Sequence, residues 1–345
     1  MNARCNACLI AAAVVACGRD SGTVGGPPPP SITVEPSSAA IGPMEWVTFR
    51  ANVSASSSKG VHWSVHPDGP VIDQDGRVFA HRAPGAYVIT ATSDADPVLS
   101  AAARLVVYDD LIDGGGRVLA DSQIYTLWWG DPTAFPSDAK GAVEHMLSTL
   151  NGSDYLGIVA EYTRGVTPTA AFVRSMSDTG STPPSEASQV ESSVSTELCS
   201  VLDRQNVTPD PNSIYVIYGA SFPAHSPWTG FHIVGGCSKV VTPYVVSFPI
   251  VYIPVPDPAH LLGFPVGGCN GLSAATAWMM NVTAHEVMES ITDPFVGVEI
   301  AWQTAAYLEL ADKCVRLSDL ACVRLGNQSY LLPGLYSNAL HACAH

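Results

Sequence analysis

The sequence predicts a multidomain chain: an N-terminal all-β sandwich, then a larger α+β (or α/β) domain stapled by disulfides. Three observations carry this. Residues 31 to 108 show short runs of alternating apolar and polar residues separated by turn signals. Beyond residue 109, longer apolar strand-like runs alternate with stretches whose apolar residues recur at helical spacing. Six cysteines, from Cys199 to Cys343, fall in the C-terminal part alone.

The first segment is not part of either domain. Arg4 supplies a positive start and Leu9 to Ala16 an apolar run of small residues, too short to span a bilayer. Residues 1–16 are therefore expected to be an export signal. The signal ends at Val14-Val15-Ala16-Cys17. Residues 17–30, rich in Gly, Ser and Pro and closing on four prolines, are expected to be a tether, partly stiffened as polyproline II.

The sandwich is expected over 31–108. Its strands are Ile32-Thr33-Val34, Trp46 to Val53, Val61 to Val65, Arg77 to Phe79 after an Asp75-Gly76 turn, Tyr87 to Thr92, and Ala103 to Tyr108. His62, His66 and His81 are expected at the surface. No residue here points to chemistry.

The larger domain is expected over 109–345. Gly114-Gly115-Gly116 breaks the chain, and Ile124 to Gly130 reads as a buried strand. Ser137 is the expected cap of a helix reaching Leu150, with Val143, Met146, Leu147 and Leu150 on one stripe. Ser175 to Ser188 reads as a loop, Gln189 to Arg204 as a helix, and Ile214 to Tyr218 as a strand. Two prolines in Tyr244 to Val255 mark it as edge or irregular β. A helix then begins near Ala274 and stops at Asp293-Pro294, because the residue before proline is pushed out of the α region.

Composition excludes some partners. The chain has 345 residues, 16 Lys+Arg against 31 Asp+Glu, and a net charge of -15. A nucleic acid requires a basic patch, and no Lys/Arg cluster occurs, so none is expected. A monomer is expected. No G-x-S-x-G elbow, Walker loop or G-x-G-x-x-G is present.

The chemistry concentrates in Thr283 to Pro294. Residues four apart share a helix face, so His285 and Glu289 point the same way with Glu286 beside them. An imidazole and a carboxylate so placed are two ligands of a Zn2+ site, and the adjacent glutamate stands where a metalloprotease keeps its general base. The usual H-E-x-x-H has become H-E-x-x-E here. Trp278, Met279, Met280, Val282, Val287, Met288 and Ile291 surround these polar residues, and burying them unpartnered would be costly. The alternative reading is a structural polar network. Glu309 and Asp312 are the candidates for further ligands, while His225 and His232 lie in a Gly/Pro-rich region from which they could also reach a metal.

Three resemblances add to this. Val-Val-Ala-Cys17 resembles the lipobox of bacterial lipoproteins, which implies lipidation of Cys17, export, and anchoring at the outer membrane or cell surface; a plain signal peptide cut near Ala16 is the alternative. Residues 31–108 resemble a bacterial Ig-like domain, which implies that Trp63 is the buried tryptophan of its central strand. Ile-Tyr-x-Leu-Trp-Trp-Gly at 124–130, Tyr-Val-Ile-Tyr at 215–218, Gly-Phe-x(5)-Cys237, Thr-Asp-Pro-Phe at 292–295, Glu309-x-Ala-Asp312-x-Cys314 and Tyr-Leu-Leu-Pro at 330–333 resemble the phosphate-induced (EXORDIUM-like) family of secreted proteins. One of that family's cysteines is replaced by His232 here. Glu309-x-x-Asp312 is similar to the thermolysin-like pattern of a ligating Glu followed by an orienting Asp. With Cys5 and Cys8 lost with the signal, Cys199, Cys237, Cys269, Cys314, Cys322 and Cys343 are the disulfide candidates, in any of fifteen pairings. Two functions remain open: a zinc-dependent, peptidase-like hydrolase facing a peptide or cell-wall substrate, and a non-catalytic surface or matrix-binding protein.

Overall fold

The computed structural model describes residues 28–239, 242–265 and 269–345. The export signal, Cys17 and the tether up to residue 27 lie outside the described residues. The chain is mostly β-sheet with few helices, and none of its described helices is long and apolar enough to cross a membrane.

Residues 31–107 form short strands that enclose one apolar core. Ser31–Glu35 pairs antiparallel with Arg50–Ser54. A four-stranded sheet runs Ser38–Ile41, Ser100–Val107, Gly85–Ser93, Val61–His66 in spatial order, and a smaller one joins Trp46–Thr48, Arg77–Phe79 and Val71–Ile72. Alternation places Ile32, Val34, Phe49, Trp63, Val78, Ile89 and Leu105 inside. His62, His66 and His81 are exposed. Gly76 has φ of 76°, and a Cβ there would meet the Phe49 carbonyl at 2.2 Å, so the Asp75-Gly76 turn admits no other residue without a shift.

The second core is built on a five-stranded sheet. Its strands are β1 (Asp121–Trp129), β2 (Thr169–Asp178), β3 (Ser213–Gly219), β4 (Phe231–Lys239) and β5 (Thr242–Pro254), in spatial order β2-β1-β3-β5-β4. All pairings are parallel except β4 with β5, so β4 is an antiparallel edge. Helix α1 (Ala139–Ser148) and helix α3 (Ala274–Thr292) cover one face, meeting Ile124, Trp128, Val216, Tyr218, Val251 and Ile253. Helix α2 (Ala187–Arg204) covers the other, on Leu127, Tyr215, Ile217, Ile250 and Tyr252. This three-layer arrangement explains why β3 is buried at every position: it is central and covered on both sides.

Three expectations are corrected. The Ser175–Ser188 loop begins as strand, since β2 runs to Asp178; its Ser, Thr and Arg residues reflect an edge position with one exposed face. Residues 242–254 form an interior strand. Val255 N–H donates to the Gly219 carbonyl, so odd-numbered residues face β3. Pro249 falls before that ladder starts at Ile250, and Pro254 lies beyond the last β4 pair at Tyr252, so neither proline removes an interior bond. Ser137 does not cap α1; Asp138 occupies that position, and its carboxylate turns away to the start of α3. There it accepts from Ser273 N–H (2.7 Å), Ser273 Oγ (2.9 Å) and Thr276 Oγ1 (2.5 Å), while Ser273 Oγ caps Thr276 N–H.

The six cysteines pair as Cys199–Cys237, Cys269–Cys322 and Cys314–Cys343. The first fastens α2 to the edge strand β4. The second fastens the segment before α3 to β6 (Leu320–Leu325), which forms a hairpin with β7 (Gln328–Pro333) against α3. Helix α3 is thus largely enclosed, with 15 of its 19 residues buried.

Candidate metal centre

Burial makes the polar residues of α3 consequential. A helix so largely buried has little solvated surface on which to leave a charge, yet it carries His285, Glu286 and Glu289 and is capped by Asp293. Two other segments deliver partners. The loop after α3 brings Glu309 and Asp312, and β4 brings His232.

The outer part of the cluster holds three of the sequence candidates together. His285 Nε2 lies 3.3 Å from Glu289 Oε1 and 3.5 Å from Asp312 Oδ1. All three donor atoms lie within 4.8 Å of one another. A tetrahedral zinc site with bonds of ~2.0–2.1 Å has donor–donor edges of about 3.4 Å, so these spacings fit such an ion, and one nitrogen with two oxygens is a donor set it accepts. Glu289 Oε1 also accepts N–H bonds from Ala311 (3.2 Å) and Asp312 (3.1 Å), which fix the plane of its carboxylate.

Glu309 goes elsewhere. Asp312 Oδ2 accepts from the Glu309 N–H (3.3 Å), folding the turn so that the two side chains part: Asp312 faces His285, and Glu309 Oε1 faces His232 Nε2 at 3.4 Å. Asp312 thus lies against the histidine of α3, as an orienting Asp in the thermolysin-like pattern would, while Glu309 lies against the other imidazole. His232, a weak candidate in the sequence because its neighbours are Gly and Pro, is buried at 6% exposure. Its Nδ1 lies 3.2 Å from Glu286 Oε2 and 3.8 Å from Glu289 Oε2, and its Nε2 lies 3.3 Å from the Asp293 carbonyl. His225 is exposed and pairs with Glu186 instead. Asp293 ends the helix, accepting from Ala301 N–H at 2.9 Å.

Five carboxylates thus share a buried site with two imidazoles. Left fully ionised, with both imidazoles protonated, they would carry a net charge of about -3, which a low-dielectric site resists. The proton affinities show the strain. Burial, then the Glu289 charge, pushes Glu309 up to about 8. Burial pushes Asp293 to about 6, against the Ala301 N–H bond. Burial also raises Glu289, partly offset by His285. Burial disfavours the charged forms of both imidazoles, but the surrounding acids outweigh it: Glu289 and Asp312 hold His285, and Glu309 and Glu286 hold His232, well above the usual histidine value. Burial opposes ionisation of Asp312, yet His285 keeps it below the ordinary carboxylate value. A divalent cation answers the same imbalance without protons.

The outer group opens on a cleft of about 260 Å3 lined by His285 and Glu286, with Trp278, Phe264, Leu262 and Leu317 among its apolar walls. Asn281, one helical turn before His285, lines it too, and its buried Nδ2 has no hydrogen-bond partner. The i−4 spacing from His285 was the signal in the sequence that would have singled it out.

No known protein family matches the chain, and no curated protein does either. Among solved structures, the chain is similar to the N-terminal four Ig domains of Dscam1 isoform 1.9, at 18% identity over 23% of this chain and 21% of that one, with a TM-score of 0.19. It is similar also to invasin, a bacterial integrin-binding protein, at 16% identity over 24% of this chain and 17% of that one, again with a TM-score of 0.19. The chain spans about a fifth of the length of these structures. Neither bears on its function.

Proposed function

We propose that this chain is an exported, lipid-anchored, zinc-dependent hydrolase that cleaves a peptide-type amide. The observation that carries the proposal is the convergence of His285, Glu289 and Asp312 at 3.3–3.5 Å beside a cleft that Glu286 also lines. His285, Glu289 and Asp312 would hold the zinc, which would supply Lewis-acid chemistry that lowers the pKa of a water toward neutrality. Glu286 is the group that takes the water's proton and returns it to the departing amine. Asn281 lines the same cleft one helical turn before His285 and helps to position the scissile bond. Trp278, Leu262, Phe264 and Leu317 accept an apolar side chain. The signal-like residues 1–16 and Cys17 support export and anchoring.

The competing reading, a non-catalytic surface protein whose cluster is a structural network, gives a different measurement. Protein purified without chelator should hold zinc, and Glu286→Gln should keep that zinc while its hydrolysis of a peptide library falls by roughly 100-fold or more. Zinc-free protein, or full activity in Glu286→Gln, rules the mechanism out.

A further inference from the structure

The cluster contains a second group of donors that the proposed reaction leaves without a metal. His232 Nδ1, Glu286 Oε2 and a Glu289 oxygen lie within 4.8 Å of one another, separate from the His285 trio and linked to it through Glu289. His232 Nδ1 stands 3.2 Å from Glu286 Oε2 and 3.8 Å from Glu289 Oε2. These spacings bracket the edge of a tetrahedral zinc site. The group is nearly closed, with side-chain exposures of 3%, 9% and 3% for His232, Glu286 and Glu289, and Glu286 also lines the cleft.

Two further features point to a ligand. A metal-binding histidine characteristically donates its other ring N–H to a carbonyl or carboxylate, which fixes the tautomer and aims the free nitrogen. His232 is arranged in this way: Nε2 faces the Asp293 carbonyl at 3.3 Å and Glu309 Oε1 at 3.4 Å, and Nδ1 faces the donors. Glu309 itself is 6% exposed, and its Oε1 is held against this imbalance of charge only by the His232 ring, at 3.4 Å. Asp293 Oδ2 is buried without a hydrogen-bond partner. The inner site therefore has acceptor capacity to spare and too few positive charges.

We infer that His232, Glu286 and Glu289 form a second zinc site, with Glu289 bridging it to the first through its two oxygens, and that filling it switches the enzyme off. Glu286 serves the reaction as a base only while its carboxylate is free. An ion seated on Glu286 Oε2 occupies that lone pair and lowers its basicity. The first equivalent of zinc activates and the second inhibits. This rests on the assignment of His285, Glu289 and Asp312 as the activating site and of Glu286 as base, and the two can fail separately.

The test is a zinc titration of chelator-stripped full-length protein by equilibrium dialysis with metal analysis, run beside peptide hydrolysis. The wild type should bind two equivalents, with activity rising over the first and falling at least roughly tenfold over the second. His232→Gln, checked for folding by circular dichroism, should bind one equivalent. Should that variant not fold, cobalt in place of zinc decides the point in the wild type: two bridged ions give a magnetically coupled electron paramagnetic resonance signal, and isolated ions do not. A stoichiometry of one overturns the second site while leaving the proposed hydrolase intact. Two equivalents that persist in His232→Gln, two uncoupled cobalt ions, or no loss of activity at the second equivalent also overturn it. A stoichiometry of zero overturns both readings.

Discussion

Replacing Glu289 by Gln separates the two roles of that carboxylate. In the metal-free protein Glu289 is both an asset and a burden. It pairs with His285 and receives two backbone N–H bonds, and it also repels Glu309 and helps to raise its pKa. A glutamine oxygen still accepts the N–H bonds of Ala311 and Asp312, while the acid–acid repulsion disappears. The lost ion pair and the lost repulsion oppose each other, each on the order of 1–3 kcal/mol, so the net change without metal should stay within about 2 kcal/mol. Zinc gives a different result. At a free concentration 100-fold above Kd it should stabilise the wild type by about 2.7 kcal/mol, a rise of roughly 5–10 °C in Tm for a domain of this size. Glu289→Gln removes an anionic donor that cannot be replaced by an amide oxygen of equal strength, and that rise should vanish. Differential scanning calorimetry with and without zinc reads both quantities. A variant that keeps the full zinc-dependent rise would falsify the assignment of Glu289, and one that loses 4 kcal/mol or more without metal would show its role to be structural.

Other outcomes follow from the same geometry. In metal-free protein the Glu309 carboxyl keeps its proton to about pH 8 when folded, against 4.5 for an ordinary glutamate, so the unfolded state releases that proton first. Stability should therefore fall as pH rises from about 4.5 to 8, by up to about 1.4 kcal/mol per pH unit, with Asp293 adding to the fall up to about pH 6; urea midpoints flat or rising over that window contradict this. Removing Cys199–Cys237 by the double Ala variant opens a loop with a sequence separation of 38 and should cost roughly 3–4 kcal/mol in urea unfolding. Because that bond fastens β4, hydrogen exchange around His232 should accelerate with it, and unchanged exchange would uncouple the two. Asp138→Ala removes three hydrogen bonds at the start of α3 and should destabilise by about 2 kcal/mol, whereas Ser137→Ala should change stability by less than about 0.5 kcal/mol; equal effects would return the role to Ser137.

How much of this was legible in the sequence depends on the distance over which each feature is set. Local periods are written in the chain. The alternation in 31–107, the stripes of α1 and α2, and the stop of α3 at Asp293-Pro294 arise from neighbours a few residues apart. So does the placement of His285, Glu286 and Glu289 on one turn. Features decided by partners were harder to read. The end of β2, from Ser175, looked like loop because an edge strand needs few apolar residues, and the proline-bearing β5 looked like an edge because its pairings lie on other strands. The disulfide pairings had no local signal at all.

The sequence by itself determined which side chains ride together on α3, because a helix sets their spacing through bonds within its own backbone. Only the tertiary structure decided what they meet. His232 arrives on a strand more than fifty residues away, carried there by the order of a sheet, and the choice between Asp312 and Glu309 is made by how one turn folds against that helix. Burial decided the rest: only their enclosure among β4, β7 and the loop after α3 makes five acids and two imidazoles one coupled cluster, where on an open helix they would be separate surface groups.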